Sequence, residues 1–168
     1  QRSRNRNDVT RFIIAMKEGK TDALELAYEL LADAIASHEE YLKREARCRY
    51  IVSIPSHQKN RPNQACETLC SRLEQDFTWL THLPGALQRI ATVPKAAFAA
   101  PGRRPTYEDH LRTIRYVGLP RNLRGKGVIM LDDVYTRGDT SNACRAILKE
   151  SARPKLVIGI FIGRTVWA

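Results

Sequence analysis

Three short apolar runs constrain this chain more than any other feature: Tyr50-Ile51-Val52-Ser53-Ile54, Val128-Ile129-Met130-Leu131 and Leu156-Val157-Ile158-Gly159-Ile160-Phe161-Ile162. A strand with one face in water alternates apolar and polar residues, and these do not. Runs this short and this rich in β-branched residues read as strands covered on both faces. Stretches of helical periodicity lie between and before them. Residues Asp8 to Ser37 carry Phe12, Ile13, Met16, Leu24, Ala27, Leu30, Leu31 and Ile35 at helical spacing, interrupted by Gly19-Lys20-Thr21-Asp22, so two helices joined by a short turn are expected. Asn63 to Asp76 reads as a helix with Leu69 and Leu73 inward, and Thr140 to Ser151 as another. Strands buried on both faces and alternating with helices predict an α/β fold: a doubly wound, mainly parallel sheet flanked by helices.

A chain of 168 residues suits one domain with a sizeable core. Residues 1–8 are expected to be a disordered basic lead and residues 9–168 a single domain. The start at Gln1 rather than methionine is compatible with a processed or truncated end. Residues 83–126 form the least regular part, with five prolines and with Arg103, Arg104, Arg112, Arg115, Arg121, Arg124 and Lys126. Within it Thr106 to Tyr116 is expected to be a short helix, capped by Thr106 with Asp109 three residues on.

The formal net charge of +10 favours an anionic partner: nucleic acid, an acidic membrane surface or a phosphorylated small molecule. No apolar run reaches transmembrane length and no secretory signal precedes the fold, so no membrane partner and a cytoplasmic location are expected. Cys48, Cys66, Cys70 and Cys144 form no C-x-x-C pair and read as reduced, partly buried thiols. His38, His82 and His110 show no metal-ligand spacing, and Trp79 and Trp167 read as packing residues.

Ligands of open α/β sheets bind at the carboxyl ends of strands. That rule selects two loops, Pro55–Pro62 and Asp132–Thr140. In the second, Asp132 and Asp133 stand at the exit of a buried strand, followed by Thr136, Gly138 and Thr140 where a helix begins. A helix N-terminus offers free N–H groups and the positive end of a dipole. Gly138 permits a tight turn and close backbone approach, and the threonine hydroxyls can add hydrogen bonds to phosphate oxygens. The aspartates suit sugar hydroxyls, or a magnesium ion carrying ligand oxygens. One loop therefore has a sugar end and a phosphate end, the polarity of a ribose 5-phosphate group. Taken singly the pieces are weaker, since paired aspartates also serve metal sites in response-regulator and hydrolase folds and T-x-G-x-T also caps helices.

Val128–Thr140 as a whole resembles the phosphoribosyl-diphosphate (PRPP) motif of type I phosphoribosyltransferases. The likeness extends to the competence protein F (ComF) branch of that superfamily. Ile51–His57 is similar to that branch's first strand and pyrophosphate-side loop, Arg61-Pro62-Asn63-Gln64-Ala65 to a shortened R-G-F-N-Q-A stretch, and Arg121-Asn122-Leu123-Arg124-Gly125 to its R-x-x-N-L-x-G segment. Phe12 to Lys17 and Gly19 look like its early helix and lysine. The resemblance implies that Asp132 and Asp133 hold the ribose 2- and 3-hydroxyls, directly or through Mg2+. It implies that Thr136, Arg137, Gly138, Asp139 and Thr140 wrap the 5-phosphate, with Ser56 and His57 on the pyrophosphate side. It also implies that an arginine of the 103–115 stretch, Arg112 or Arg115, closes a hood over pyrophosphate.

Departures from the pattern shape the functional expectation. Position 137 is arginine where threonine is common, and position 139 is aspartate where a small residue is common; a carboxylate there repels phosphate unless it turns away. Purine-salvage relatives carry an aspartate base where this chain has Thr136, and the four-cysteine zinc module found at the start of many ComF-like proteins does not appear. Two functions follow. One is a phosphoribosyltransferase acting on a base or amine with release of pyrophosphate. The other is a non-catalytic PRPP or nucleotide-binding module in DNA uptake, repair or defence, its basic surface touching nucleic acid. A plain nucleic-acid binder using the fold as scaffold is weaker. The sequence leaves open a homodimer or larger assembly.

Overall fold

The computed structural model describes residues 2–94, 104–118 and 122–164, with side chains from Asp8 onward. Helix α1 (Arg2–Lys17) begins ahead of the expected start at Asp8, and α2 (Thr21–Ser37) follows after the turn at Gly19. A π-helical stretch, Tyr41–Glu45, leads into β1 (Cys48–Ser53). Then come α3 (Gln64–Asp76), the short strands β2 (Thr81–His82) and β3 (Leu87–Arg89), α4 (Tyr107–Thr113), β4 (Ile114–Tyr116), β5 (Gly127–Tyr135), α5 (Asp139–Ser151) and β6 (Leu156–Arg164).

Four strands form a parallel sheet in the order β2-β1-β5-β6. Its register puts Ile51 beside Ile129 and Ile129 beside Ile158. Side chains alternate across a strand, so one continuous apolar run feeds two cores. Ile129 and Leu131 face a cluster built with Met16, Leu31, Ile35, Leu69 and Leu73 from α1, α2 and α3. Val128 and Met130 face a second cluster with Cys144, Ile147 and Leu148 from α5 and with Leu87 and Ile114 from the irregular segment. This is the flanked parallel sheet that the unalternating runs predict. Leu30 departs from expectation at 53 % exposure, because Leu31 and Ala27 already fill the inward face of α2.

Where β5 enters the sheet it passes under Ala46: a Cβ on Gly127 would lie 2.4 Å from the Ala46 carbonyl oxygen, so only glycine fits. Strands β3 and β4 pair antiparallel as a separate two-stranded sheet. The capping box on Thr106 and Asp109 forms as expected, but α4 stops at Thr113 and the chain turns directly into β4. Trp79 packs against the first cluster, edge-on to Phe77, while Trp167 lies outside the described residues. All four cysteines are free and buried; burial pushes the thiols up, Cys48 to about 11, which keeps them unreactive. Among the described residues no helix is long and apolar enough to cross a membrane.

Candidate functional site

The chain turns from β1 to one side of the sheet, toward β2, and from β5 to the other, toward β6. The crevice at the carboxyl ends of β1 and β5 is therefore the topological switch point. It holds a cleft of ≈ 590 Å³ lined by Lys17, His57, Arg61, Asp132, Asp133 and Thr140, among others. Both loops that the sequence selects border it.

Asp132 and Asp133 are neighbours on one strand and so diverge to opposite faces of the sheet. Asp133 shares the face of Ile129 and Leu131. There Lys17 Nζ at the end of α1 lies 2.7 Å from Oδ2, and Asn63 Nδ2 at the cap of α3 donates to the same oxygen at 3.3 Å. Asp132 faces α5, and its Oδ1 accepts the Asp133 N–H at 2.9 Å. Burial, then the neighbouring Asp133 charge, push the Asp132 carboxyl up to about 8; the Asp133 N–H and Lys17 oppose this without prevailing.

Beyond them Thr136 and Arg137 are exposed and Gly138 is buried at φ +85°. That left-handed conformation turns the strand exit into α5, and the Gly138 carbonyl accepts the Asn142 N–H at 2.8 Å and the Ser141 hydroxyl at 3.0 Å. The first N–H groups of α5 thus open toward a small recess of ≈ 30 Å³ bounded by Asp132, Thr136, Gly138 and Thr140. Asp139 pairs with Arg137 at 2.6 Å, so its carboxylate is turned onto a cation.

On the opposite wall Ser56 Oγ donates to the Arg61 carbonyl at 2.8 Å and accepts the Gln58 N–H at 3.2 Å. The His57 carbonyl accepts the Val93 N–H at 3.0 Å. Arg112 and Arg115 are not brought to the cleft. Arg112 is exposed and pairs with Asp109 at 3.1 Å along α4, and Arg115 is exposed on β4. Among the described residues the cations that line the cleft are Lys17, Arg61 and Arg89. Arg103 and Arg121 lie outside the described residues.

Arg89 and His110 are the residues that sequence reasoning misses. Arg89 is 1 % exposed and joins the Ser56 loop to α4, and His110 bonds Thr140. Their signal is not local: each partner is distant in the chain. His82 has a structural place, with Nε2 2.9 Å from Glu67 away from the cleft.

The sequence matches no protein-family profile and no curated protein sequence. Solved structures do match. An adenine phosphoribosyltransferase superposes with a TM-score of 0.51 at 21 % identity, covering 82 % of this chain and 69 % of its own. The chain has the type I phosphoribosyltransferase fold. Another with this fold, the adenine phosphoribosyltransferase of Saccharomyces cerevisiae in complex with an imino-altritol bisphosphate and adenine, matches at a TM-score of 0.48 and 21 % identity, over 82 % of this chain and 68 % of its own. In the phosphoribosyltransferase fold of this chain, the switch-point cleft has acidic residues on the β5 side and cations on both walls.

Proposed function

We propose that this protein binds PRPP with Mg2+ in the switch-point cleft and transfers the phosphoribosyl group to a base or amine, releasing pyrophosphate. The observation that carries the reading is one strand exit joining the Asp132–Asp133 pair to a left-handed Gly138 and the open N-terminus of α5. In this reading Thr136, Gly138 and Thr140 and the first N–H groups of α5 hold the 5-phosphate. Asp132 and Asp133 hold the ribose hydroxyls. Ser56 and His57 flank pyrophosphate, with Lys17 and Arg61 as cleft-lining cations that would neutralise it.

Among the described residues no group of three or more His, Cys, Asp or Glu gathers as a metal cage. Two carboxylates at an open cleft fit Mg2+, which keeps waters and ligand oxygens in its shell. Both line the cleft but leave the strand on opposite faces, so Asp132 and Asp133 would hold it through its waters or through the ribose hydroxyls, and it would neutralise and orient the ligand's oxygens. Displacement at the sugar C1 with pyrophosphate leaving asks little covalent chemistry of the protein. Positioning by the two loops and charge neutralisation by Lys17 and Arg61 would supply most of the acceleration.

A second reading, a binding module without catalysis, is favoured by one observation. The His110 ring is tied into the scaffold through Arg89 and Thr140. Kinship with the ComF branch, and with it nucleic-acid contact through the basic surface, belongs to this reading.

Calorimetric titration of PRPP with Mg2+ tests the site. Micromolar binding lost in Asp132→Asn/Asp133→Asn supports it, and a screen of bases and amines for pyrophosphate release then separates the two readings. No binding by folded wild type sinks the ligand assignment.

A further inference from the structure

Arg89 is buried at 1 % exposure, and among the described residues no carboxylate pairs with it. A guanidinium kept from water without a counter-ion is costly unless its donors are all used and its charge meets an anion. Each of its three nitrogens makes a contact: Nε donates to the Ser56 carbonyl at 2.7 Å, Nη1 to Thr113 Oγ1 at 2.8 Å, and Nη2 contacts His110 Nδ1 at 3.2 Å. Its own carbonyl accepts the Asn60 N–H at 2.8 Å. Arg89 therefore braces the Ser56 loop from behind while lining the cleft.

The direction of the next bond follows from the donor inventory. A guanidinium has only donors, so His110 Nδ1 is assigned as the acceptor and Nε2 carries the proton. Nε2 lies 3.1 Å from Thr140 Oγ1, which must then accept. A hydroxyl that accepts from within has its one hydrogen left to donate outward, and Thr140 borders both the cleft and the recess before α5. Burial and the Arg89 charge hold His110 down at about 4, so the imidazole is neutral near pH 7.

We propose that Arg89 and His110 are positioning residues: through the chain guanidinium–imidazole–hydroxyl they fix Thr140 as a donor aimed at the phosphate of the ligand and deliver the charge of a buried arginine to it. The inference rests on the PRPP reading of the cleft. It accounts for a buried arginine that touches one loop directly and reaches the other through His110. Hydrogen bonds in such a chain polarise one another.

The test uses ribose 5-phosphate as the probe and 15N NMR of the histidine ring. Wild type is expected to show a neutral His110 protonated at Nε2. Thr140→Val and His110→Phe are each expected to weaken ribose 5-phosphate by about ten-fold, the double variant by no more than either, since all three remove one charge-assisted bond. His110→Gln, which restores an N–H near the Nε2 position, is expected to recover most of the affinity; a network that serves folding alone would not sort phenylalanine from glutamine this way. Protonation at Nδ1, or folded His110→Phe binding as wild type does, overturns the inference and leaves the PRPP reading standing. Failure of wild type to bind ribose 5-phosphate and PRPP overturns both. If His110→Phe does not fold, the ring signature and the comparison of Thr140→Val with His110→Gln decide.

Discussion

The guanidinium of Arg137 lies 2.6 Å from the carboxylate of Asp139 across the αL turn at Gly138. These are two of the positions at which the loop departs from the PRPP motif it resembles, and they neutralise each other. Asp139 is turned from the anion site by its partner, while Arg137 also reaches the Pro105 carbonyl at 3.4 Å.

Breaking that pair on one side only should change affinity in opposite directions. Arg137→Ala leaves a bare carboxylate beside the phosphate and is expected to weaken ribose 5-phosphate several-fold. Asp139→Asn frees the cation and is expected to tighten it. The double variant should bind nearly as wild type does. Both side chains are substantially exposed, so stability should change by less than about 1 kcal/mol. Calorimetry at low and high salt checks all three.

Asp132 ties stability to function. Its folded pKa of about 8 lies above the ordinary carboxylate value, so between roughly pH 4 and 8 the unfolded chain releases a proton that the folded protein retains. Stability from this group falls as pH rises through that window. Asp132→Asn should therefore raise Tm, by more at pH 8 than at pH 5, while abolishing PRPP binding. Magnesium–PRPP binding at pH 7 should expel a proton from wild type, seen as a buffer-dependent heat, and affinity should climb until pH passes about 8.

His110 acts with the opposite sign at acid pH. Burial and Arg89 depress it to about 4, against weaker opposing pulls from Asp139 and Asp109 and a further push from Arg137. Stability from the neutral ring is full above the unfolded value of about 6.5 and is lost as pH falls toward 4, by up to roughly 3 kcal/mol. His110→Gln should flatten that limb of the stability–pH profile, measured by urea unfolding at several pH values.

Gly138→Ala should damage the loop twice. The backbone is left-handed at φ +85°, and an added Cβ would meet the Tyr135 hydroxyl at 2.5 Å. A loss of about 1–2 kcal/mol from the backbone alone is expected, with ring displacement adding to it. Ribose 5-phosphate affinity should drop along with thermal stability.

The sheet was legible because unalternating apolar runs admit few arrangements, and the two loops followed from where parallel strands end. Strands β5 and β6 extend beyond their apolar runs, because Asp132 through Tyr135 keep the ladder, pairing with Phe161 through Arg164, while their side chains serve the cleft. Strands β2, β3 and β4 have two or three residues each and exist through tertiary pairing, which leaves no period to read. Arg112 and Arg115 were expected at the pyrophosphate because the resemblance places a basic hood in that stretch. Whether an arginine faces solvent or the cleft depends on the turn from α4 into β4 and on the pairing of Gln88 with Arg115, neither of which is encoded locally. Arg89 could not be picked out for the same reason: its partners Ser56, His110 and Thr113 are distant in the chain.

Strand β5 is hydrogen-bonded along both edges, whereas the β3–β4 pair is three residues long and, outside its own ladder, is held by Leu87 and Ile114 in the second core and by the Asn60 N–H bond to the Arg89 carbonyl. Amides of Ile129 to Leu131 should exchange only when the whole molecule unfolds, while those of the small sheet exchange through local opening. The two walls of the cleft then keep different time. If exchange shows the small sheet opening first, the carboxylate wall would be standing whenever a ligand arrives, and opening of the wall braced by Arg89 would clock entry and escape.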